Sequence, residues 1–249
     1  MIKMVNLHKS FGPQEVLRGL ELEITEGETT VIIGQSGGGK SVLLKHIIGL
    51  LKPDLGQVIF EGKDITRMDD RELNEVRKKF GMLFQGAALF DSMTVGENVA
   101  FPLREHTKKT DEEIREIVND RLRAVGLPGV ENKMPSELSG GMKKRAGLAR
   151  AIAMHPQVVL FDEPTTGLDP VTAEAINQLI IETQRQFNLT CVATSHDMKS
   201  IFTIGHKIAM LYDGKVVAFG TPEEIRQSSN EVVQQFIHGK LDGPIHMNG

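Results

Sequence analysis

The sequence predicts an α/β fold with a parallel sheet, and three observations support this prediction. Short β-branched runs alternate with helical segments, a glycine-rich loop joins one such run to a helix, and residues 86–157 are mostly helical. Strands separated by helices are typical of parallel sheets, because a parallel neighbour is reached only through a crossover connection. We therefore expect the helical stretch to be an insertion between two halves of one sheet.

Strands dominate the first part of the chain. Residues 2–11 and 16–24 have strand character, and a turn follows at 26–28. Thr29–Ile33 is a short β-branched run of the kind that is buried on both faces of a sheet. The other elements expected before residue 86 are a helix over 40–50 and strands over 57–62 and 80–84.

Helices dominate the middle of the chain, and strands return after Pro156. Residues 111–126 carry apolar side chains at helical spacing, and 142–155 form a second predicted helix. The elements expected afterwards are a strand at 158–161, a helix at 171–186, a strand at 190–195, another helix and a hairpin with the turn Asp213-Gly214. In the tail, 221–249, we expect helix first, with Pro222 at its start, and extended chain from 240 onward.

Composition excludes several classes of protein. The 249 residues carry a net charge of −4, whereas nucleic-acid-binding chains usually carry a basic excess. The single cysteine excludes an internal disulfide. We find neither an apolar run long enough to span a bilayer nor a signal-peptide pattern, so any membrane role is expected to come through a partner.

The strongest local motif is a phosphate-binding loop. Residues 34–41, GQSGGGKS, match the pattern G-x-x-x-x-G-K-[ST] between a predicted strand and a predicted helix. Glycines let backbone N–H groups approach phosphate oxygens, and the helix N-terminus adds its positive end. We expect Lys40 to reach the β- and γ-phosphates and the Ser41 hydroxyl to bind Mg²⁺. The nucleotide contacts predicted here are Gly34, Gln35, Ser36, Gly37, Gly38, Gly39, Lys40, Ser41 and Val42.

A second motif is an apolar strand that ends in two acids, Asp162 and Glu163. Asp162 suits a Mg²⁺ site, and Glu163 would then lie beside the γ-phosphate and polarise the attacking water as general base. An acidic strand end is also common as a solvated turn. The phosphate-binding loop upstream favours the catalytic interpretation.

Further motifs occur in a recognisable order. Leu138-Ser139-Gly140-Gly141-Met142 precedes a basic helix, and it resembles the LSGGQ signature of ATP-binding-cassette (ABC) ATPases. Four other positions resemble further motifs of that family. Gln85 resembles the Q-loop glutamine and Asp169 the D-loop aspartate, while His196 resembles the switch histidine and Phe11 the aromatic residue that stacks on adenine. Two residues depart from the usual pattern, because Met142 replaces glutamine and Val42 replaces threonine.

The resemblance implies a fold and a set of roles. The expected fold is a P-loop NTPase, an ABC-type nucleotide-binding domain with an N-terminal antiparallel β-subdomain and an inserted helical subdomain. The expected domain spans 1–239, with a core at 1–85 and 158–220, helices at about 86–157 and a tail at 221–249. The roles implied for ATP and Mg²⁺ are catalysis by Glu163, His196, Gln85 and Lys40, metal binding by Ser41, Gln85 and Asp162, and nucleotide contacts by Phe11, Ser139, Gly140, Gly141 and Asp169.

A narrower resemblance concerns GQSGGGKSVLLKHIIGLLKPD, FGMLFQGAALFDSMTVGENVAFPL and LSGGMKKRAGLARAIA. These runs are similar to the ATPase subunits of bacterial maintenance-of-lipid-asymmetry (Mla) transporters. That similarity implies a homodimer at the cytoplasmic face of the inner membrane, bound to integral permease subunits, an MCE-domain subunit and, in some systems, a STAS-domain subunit. It implies no nucleic-acid partner. The alternatives are an importer ATPase for another substrate, such as an amino acid or a metal, and a soluble ABC ATPase outside transport.

Overall fold

The computed structural model describes residues 1–245, and its order of elements follows the predicted alternation. The strands are β1 (Ile2–Phe11), β2 (Gln14–Ile24), β3 (Thr29–Ile33), β4 (Leu55–Phe60), β5 (Lys63–Asp64), β6 (Phe80–Leu83), β7 (Val158–Asp162), β8 (Thr190–Thr194), β9 (Lys207–Tyr212) and β10 (Lys215–Gly220). The helices are α1 (Lys40–Ile47), α2 (Asp70–Arg77), α3 (Val95–His106), α4 (Asp111–Ala124), α5 (Gly140–Ala151), α6 (Pro170–Phe187), α7 (Met198–Ile204), α8 (Pro222–Arg226) and α9 (Glu231–His238).

The chain divides into two compact units. Unit one contains residues 1–69 together with the chain from 194 onward, and unit two contains 70–193. The helical stretch expected at 86–157 lies entirely within unit two. The boundaries proposed from the sequence for core and helical subdomain stay a prediction.

An antiparallel sheet in unit one joins four strands in the order β2-β1-β4-β5. Ile2 pairs with Ile24 on one side and with Phe60 on the other, and all three side chains are buried. Ile2, Met4 and Leu7 are buried while Lys3 and Val5 are exposed, which is the alternation of a strand with one face in the core. The predicted strands 2–11 and 16–24 are present, and the second begins two residues early.

A second set of strands in unit one leads to the glycine-rich loop. β3 runs parallel to β9, and β9 forms an antiparallel hairpin with β10. All five residues of β3 are buried, as its β-branched composition predicted. Asp213 and Gly214 both have positive φ, 48° and 73°, which is the conformation of the type I′ turn that an Asp-Gly sequence predicts.

Unit two has strands in the order β8-β7-β6, of which β7 and β6 run parallel, and most of the helices. α3 and α4 each begin with a capping box: the hydroxyls of Thr94 and Thr110 accept from the N–H groups of Glu97 and Glu113, whose carboxylates accept in return. The predicted helices at 111–126 and 142–155 both exist, but each ends two to four residues earlier than expected. α2 was not predicted.

The tail is ordered as far as it is described. α8 starts at Pro222 as expected, and α9 follows. Beyond α9 the buried side chain of Gln235 accepts from Ile245 N at 2.6 Å and donates to Ile245 O at 3.0 Å, and the Tyr212 hydroxyl donates to Pro244 O at 2.8 Å. The last part of the predicted extended segment, 246–249, lies outside the described residues.

None of the helices within residues 1–245 is both long enough and apolar enough to cross a bilayer.

Candidate functional site

The glycine-rich loop of unit one surrounds the ammonium of Lys40. This buried group donates to the carbonyl oxygens of Gly34 and Gln35, each at 2.9 Å. Gly39 precedes α1 with φ 96°, and Gly37 has φ 74°, so both occupy conformations that L-residues rarely adopt. The loop therefore turns its backbone inward ahead of the N-terminus of α1.

Two glycines of this loop are required by packing. A Cβ atom at Gly34 would lie 2.3 Å from the carbonyl oxygen of Leu211 in β9, and one at Gly39 would lie 2.9 Å from Cγ1 of Val16 in β2. The exposed Ser41 follows at the start of α1. Backbone N–H groups at a helix N-terminus, one lysine and one serine hydroxyl are the donor set that suits a nucleotide phosphate chain.

His196 lies close to this loop in unit one. The N–H of Ser195, the preceding residue, donates to the carbonyl oxygen of Ile32 at 3.4 Å, and Ile32 lies just before the glycine-rich loop. Asp197, the following residue, caps α7 by accepting from Lys199 N and Ser200 N, each at 3.2 Å. The exposed His196 is thus held between a strand end and a helix start.

Phe11 ends β1, where it pairs with Gln14 at the tip of the first hairpin. Its side chain is 48% exposed, and Lys9 Nζ lies 5.6 Å from the ring centre. β2 of the same hairpin touches the glycine-rich loop through Val16. An exposed aromatic ring on a hairpin that contacts a phosphate-binding loop is suited to stacking on a base.

In unit two, Asp162 is the last residue of β7 and Glu163 follows with φ 52°. A left-handed backbone at a residue with a side chain costs roughly 1–2 kcal/mol, so neighbouring contacts must hold it. The Glu163 carbonyl oxygen accepts from Thr166 N at 3.3 Å, and its carboxylate accepts from the Thr166 hydroxyl at 2.6 Å. Thr166 was not identified from the sequence.

The signature residues lie at the N-terminus of α5. Ser139 is the N-cap, and its hydroxyl oxygen accepts from Met142 N at 3.3 Å. Ser139 and Gly140 are exposed, so this end of the helix is open to an outside group. Gly141 is buried, and a Cβ atom there would lie 2.7 Å from Cγ2 of Thr172 in α6.

Asp169 has a clear local role as the N-cap of α6. Its carboxylate accepts from the Thr172 hydroxyl at 2.5 Å and from Val171 N and Thr172 N, each at 3.0 Å. Because these donors stabilise the ionised form, chiefly the Thr172 hydroxyl, the pKa of Asp169 lies below its usual value.

Two cations of α5 hold the segment that follows β6, and the sequence analysis missed both. Lys144 Nζ donates to the carbonyl oxygens of Gln85 and Glu163, the latter at 3.3 Å. Arg150 donates to the carbonyl oxygens of Ala87 and Ala88 at 2.7 and 2.6 Å. The available signal was the basic run KKRAGLAR, which we had treated as part of an amphipathic helix.

An apolar groove of about 430 Å³ lies beside this segment. Phe84 and Phe90 are 40% and 44% exposed, and the rings of Phe90 and Phe101 are 5.0 Å apart. Leu89 and Met93 in the same segment are half-buried, and Val95, the first residue of α3, is fully buried.

The predicted magnesium ligands are few. No group of three or more His, Cys, Asp or Glu side chains suited to a metal occurs in the described part of the chain. Ser41 lies in unit one, and Gln85 and Asp162 lie in unit two. Their role as magnesium ligands stays a prediction.

Comparisons with known proteins agree with these features. Residues 17–166 match the family described as ABC transporter. The probable ribonucleotide transport ATP-binding protein mkl of Mycobacterium tuberculosis H37Rv is 47% identical over 99% of this chain and 69% of its own length. The intermembrane phospholipid transport system ATP-binding protein MlaF of Haemophilus influenzae is 46% identical over 98% of this chain and 93% of its own length.

The fold has a close match among solved structures. The dimeric ATP-binding cassette MJ0796, in a post-hydrolysis state bound to ADP and Pi, has a TM-score of 0.81 and 34% identity, covering 89% of this chain and 98% of that one. This similarity confirms the fold class predicted from the sequence.

Proposed function

The chain belongs to the ABC transporter family and is an ATPase, and from this premise we propose that it drives a membrane complex that moves phospholipid. The observation that supports phospholipid as the cargo is the 46% identity to a phospholipid transport ATP-binding protein. This identity extends over 98% of this chain and 93% of that protein. The relative named for ribonucleotide transport is matched over only 69% of its length. A ribonucleotide is therefore the second candidate cargo.

We assign ATP binding to unit one, through the glycine-rich loop and the side chains of Phe11 and His196. The donors that would hold the phosphate chain are the backbone N–H groups of 36–41 and the Lys40 ammonium, which moves from loop carbonyl oxygens to phosphate oxygens. Phe11 would stack on adenine, and His196 would contact the γ-phosphate. Val42 lacks the hydroxyl that threonine offers at this position.

We assign hydrolysis to residues of unit two. Glu163 would accept a proton from the attacking water, and its contact with Thr166 restricts where the carboxylate can point. Ser41, Gln85 and Asp162 would hold Mg²⁺, which supplies positive charge to the β- and γ-phosphate oxygens. Placement of the water and of the γ-phosphate is then the main contribution of the protein.

We propose that two copies act together. The related cassette MJ0796 is described as dimeric with ADP and Pi. Ser139 and Gly140 are exposed at the N-terminus of α5, where backbone N–H groups can bind a phosphate brought by a second copy. Asp169 caps the N-terminus of α6 and would hold the backbone in place near that contact.

The remaining partners follow from the cargo. The apolar groove lined by Phe84, Phe90 and Phe101 would receive a helix of an integral permease subunit. The chain would then lie at the cytoplasmic face of the inner membrane. The other subunits expected in such a complex are an MCE-domain protein and, in some systems, a STAS-domain protein.

Reconstitution tests this proposal. The chain is expressed with the membrane proteins encoded beside it, and the purified complex is placed in liposomes with labelled phospholipid and an acceptor carrier. We expect phospholipid to move only with ATP and only when Lys40 and Glu163 are intact. Movement of labelled ribonucleotides, amino acids or metal ions without lipid movement would overturn the cargo and leave the ATPase unaffected.

A further inference from the structure

We propose that Lys144 is a positioning residue for ATP hydrolysis: its single ammonium fixes the backbone at Gln85 and at Glu163 to the helix that carries the signature residues. The inference rests on the proposed function, because it takes Glu163 as the general base. Lys144 itself touches neither nucleotide nor water in this role.

The contacts are specific. Lys144 is 5% exposed, and its Nζ donates to the carbonyl oxygen of Gln85 and, at 3.3 Å, to that of Glu163. These two residues are far apart in sequence, and the lysine belongs to a third segment, one turn after Ser139 on α5. One buried donor therefore connects the Q-loop, the residue after β7 and the signature helix.

Lys144 holds one residue with a left-handed backbone and one residue just before a left-handed segment. Glu163 has φ 52°, and Gln85 leads into Ala87 and Ala88, whose φ values are 61° and 47°. Backbones in this region persist only where surrounding contacts over-determine them. The carbonyl orientation at Glu163 determines where its side chain leaves the main chain, so a donor to that carbonyl oxygen also directs the carboxylate.

The charge of Lys144 fits this position. Burial lowers its pKa, and the carboxylates of Glu163 and Asp162 oppose that effect. An apolar side chain of similar length would fill the space but would leave the carbonyl oxygens of Gln85 and Glu163 without this donor. The expected defect is thus one of geometry at the reacting centre, with nucleotide binding preserved.

Full-length chain with its co-purifying membrane subunits provides the test. Lys144→Met should lower kcat for ATP about tenfold or more, while KM for ATP and the Kd of a fluorescent ATP analogue stay within about threefold. Lys144→Arg should keep kcat within about threefold, because a guanidinium can also donate to two carbonyl oxygens. The matched control is Lys143→Met, which removes the neighbouring, half-buried charge of the same helix and should stay within about twofold.

Each outcome is decisive. If Lys144→Met melts below the assay temperature, Lys144→Leu, which also lacks a donor, replaces it with the same expectation. A kcat within twofold of wild type in the folded variant, or Lys144→Arg no better than Lys144→Met, would overturn the positioning role. A wild-type complex that hydrolyses no ATP, or a Glu163→Gln variant with normal turnover, would instead overturn the proposed function on which this inference rests.

Discussion

The hydroxyl of Thr166 donates to a carboxylate oxygen of Glu163 at 2.6 Å. The proposed base therefore already has one carboxylate oxygen engaged by a residue three positions along the chain. The threonine thereby limits the orientations of the carboxylate in which proton transfer can occur.

Glu163→Gln keeps the size and hydrogen-bonding ability of the side chain but removes its basicity. We expect ATP hydrolysis to fall by about 10²-fold or more, ATP binding to persist and a nucleotide-bound dimer to accumulate. Single-turnover kinetics and size-exclusion chromatography with ATP measure these effects. Glu182→Gln, at an exposed position of α6, is the control, and normal turnover in Glu163→Gln would remove the residue from its role.

Ser139→Arg places a large cation at the open end of α5. If this loop completes the nucleotide site of a second copy, closure of the dimer should be blocked while each chain still binds ATP. Lys40→Ala should weaken ATP binding itself, because a charge-assisted contact to phosphate is lost. A dimer mixed from the two variants should keep at most one complete site, and full activity of the Ser139→Arg homodimer would contradict the two-copy arrangement.

Phe90→Asp puts a charge into the apolar groove. The backbone there is independently fixed, because Phe90 N donates to Asn98 Oδ1 at 2.8 Å and Asn98 Nδ2 donates to Phe90 O at 3.1 Å. We expect the membrane subunits to dissociate, or transport to stop, with ATP affinity unchanged. If Phe90→Asp lowers the melting temperature of the chain by more than a few degrees, Phe90 has a packing role. The melting temperature of Leu89→Asp, at a half-buried position, is therefore measured for comparison.

His155 introduces a pH dependence of stability in unit two. Burial and the neighbouring Arg121 guanidinium lower its pKa, Lys109 acts in the same direction, and Asp120 opposes them. A histidine with a lower pKa when folded binds fewer protons than the unfolded chain, so stability declines as pH falls below its ordinary pKa of 6.5.

We therefore expect the melting temperature to drop between pH 7.5 and 5.5, and His155→Gln to make that drop smaller. His106→Gln, at an exposed position of α3, should leave the slope as in the wild type. Equal slopes in wild type and His155→Gln would show that His155 does not control stability in this pH range.

The order of elements and the glycine-rich loop were predictable because both are determined by local sequence. Thr29–Ile33 is uniformly apolar or β-branched, and the loop needs glycine at positions of positive φ. α2 was harder to predict, since Leu73 is its only buried residue and an apolar stripe is missing.

The hydrogen bonds from α5 to the segment after β6 could not be predicted from the sequence. Lys144 and Arg150 donate to carbonyl oxygens about 60 residues away along the chain, and main-chain acceptors leave no mark in an amino-acid sequence.

Gly34 has a further consequence for how such motifs are interpreted. Its Cβ position is taken by the Leu211 carbonyl oxygen, 2.3 Å away, so even alanine is excluded there whether or not a nucleotide is ever bound. Deep mutational scanning of this chain for solubility alone, with no selection for turnover, should find position 34 intolerant and the open position 37 much less so. The first glycine of the motif is thus evidence of how the folded chain packs, whereas Lys40 is the residue that indicates a ligand.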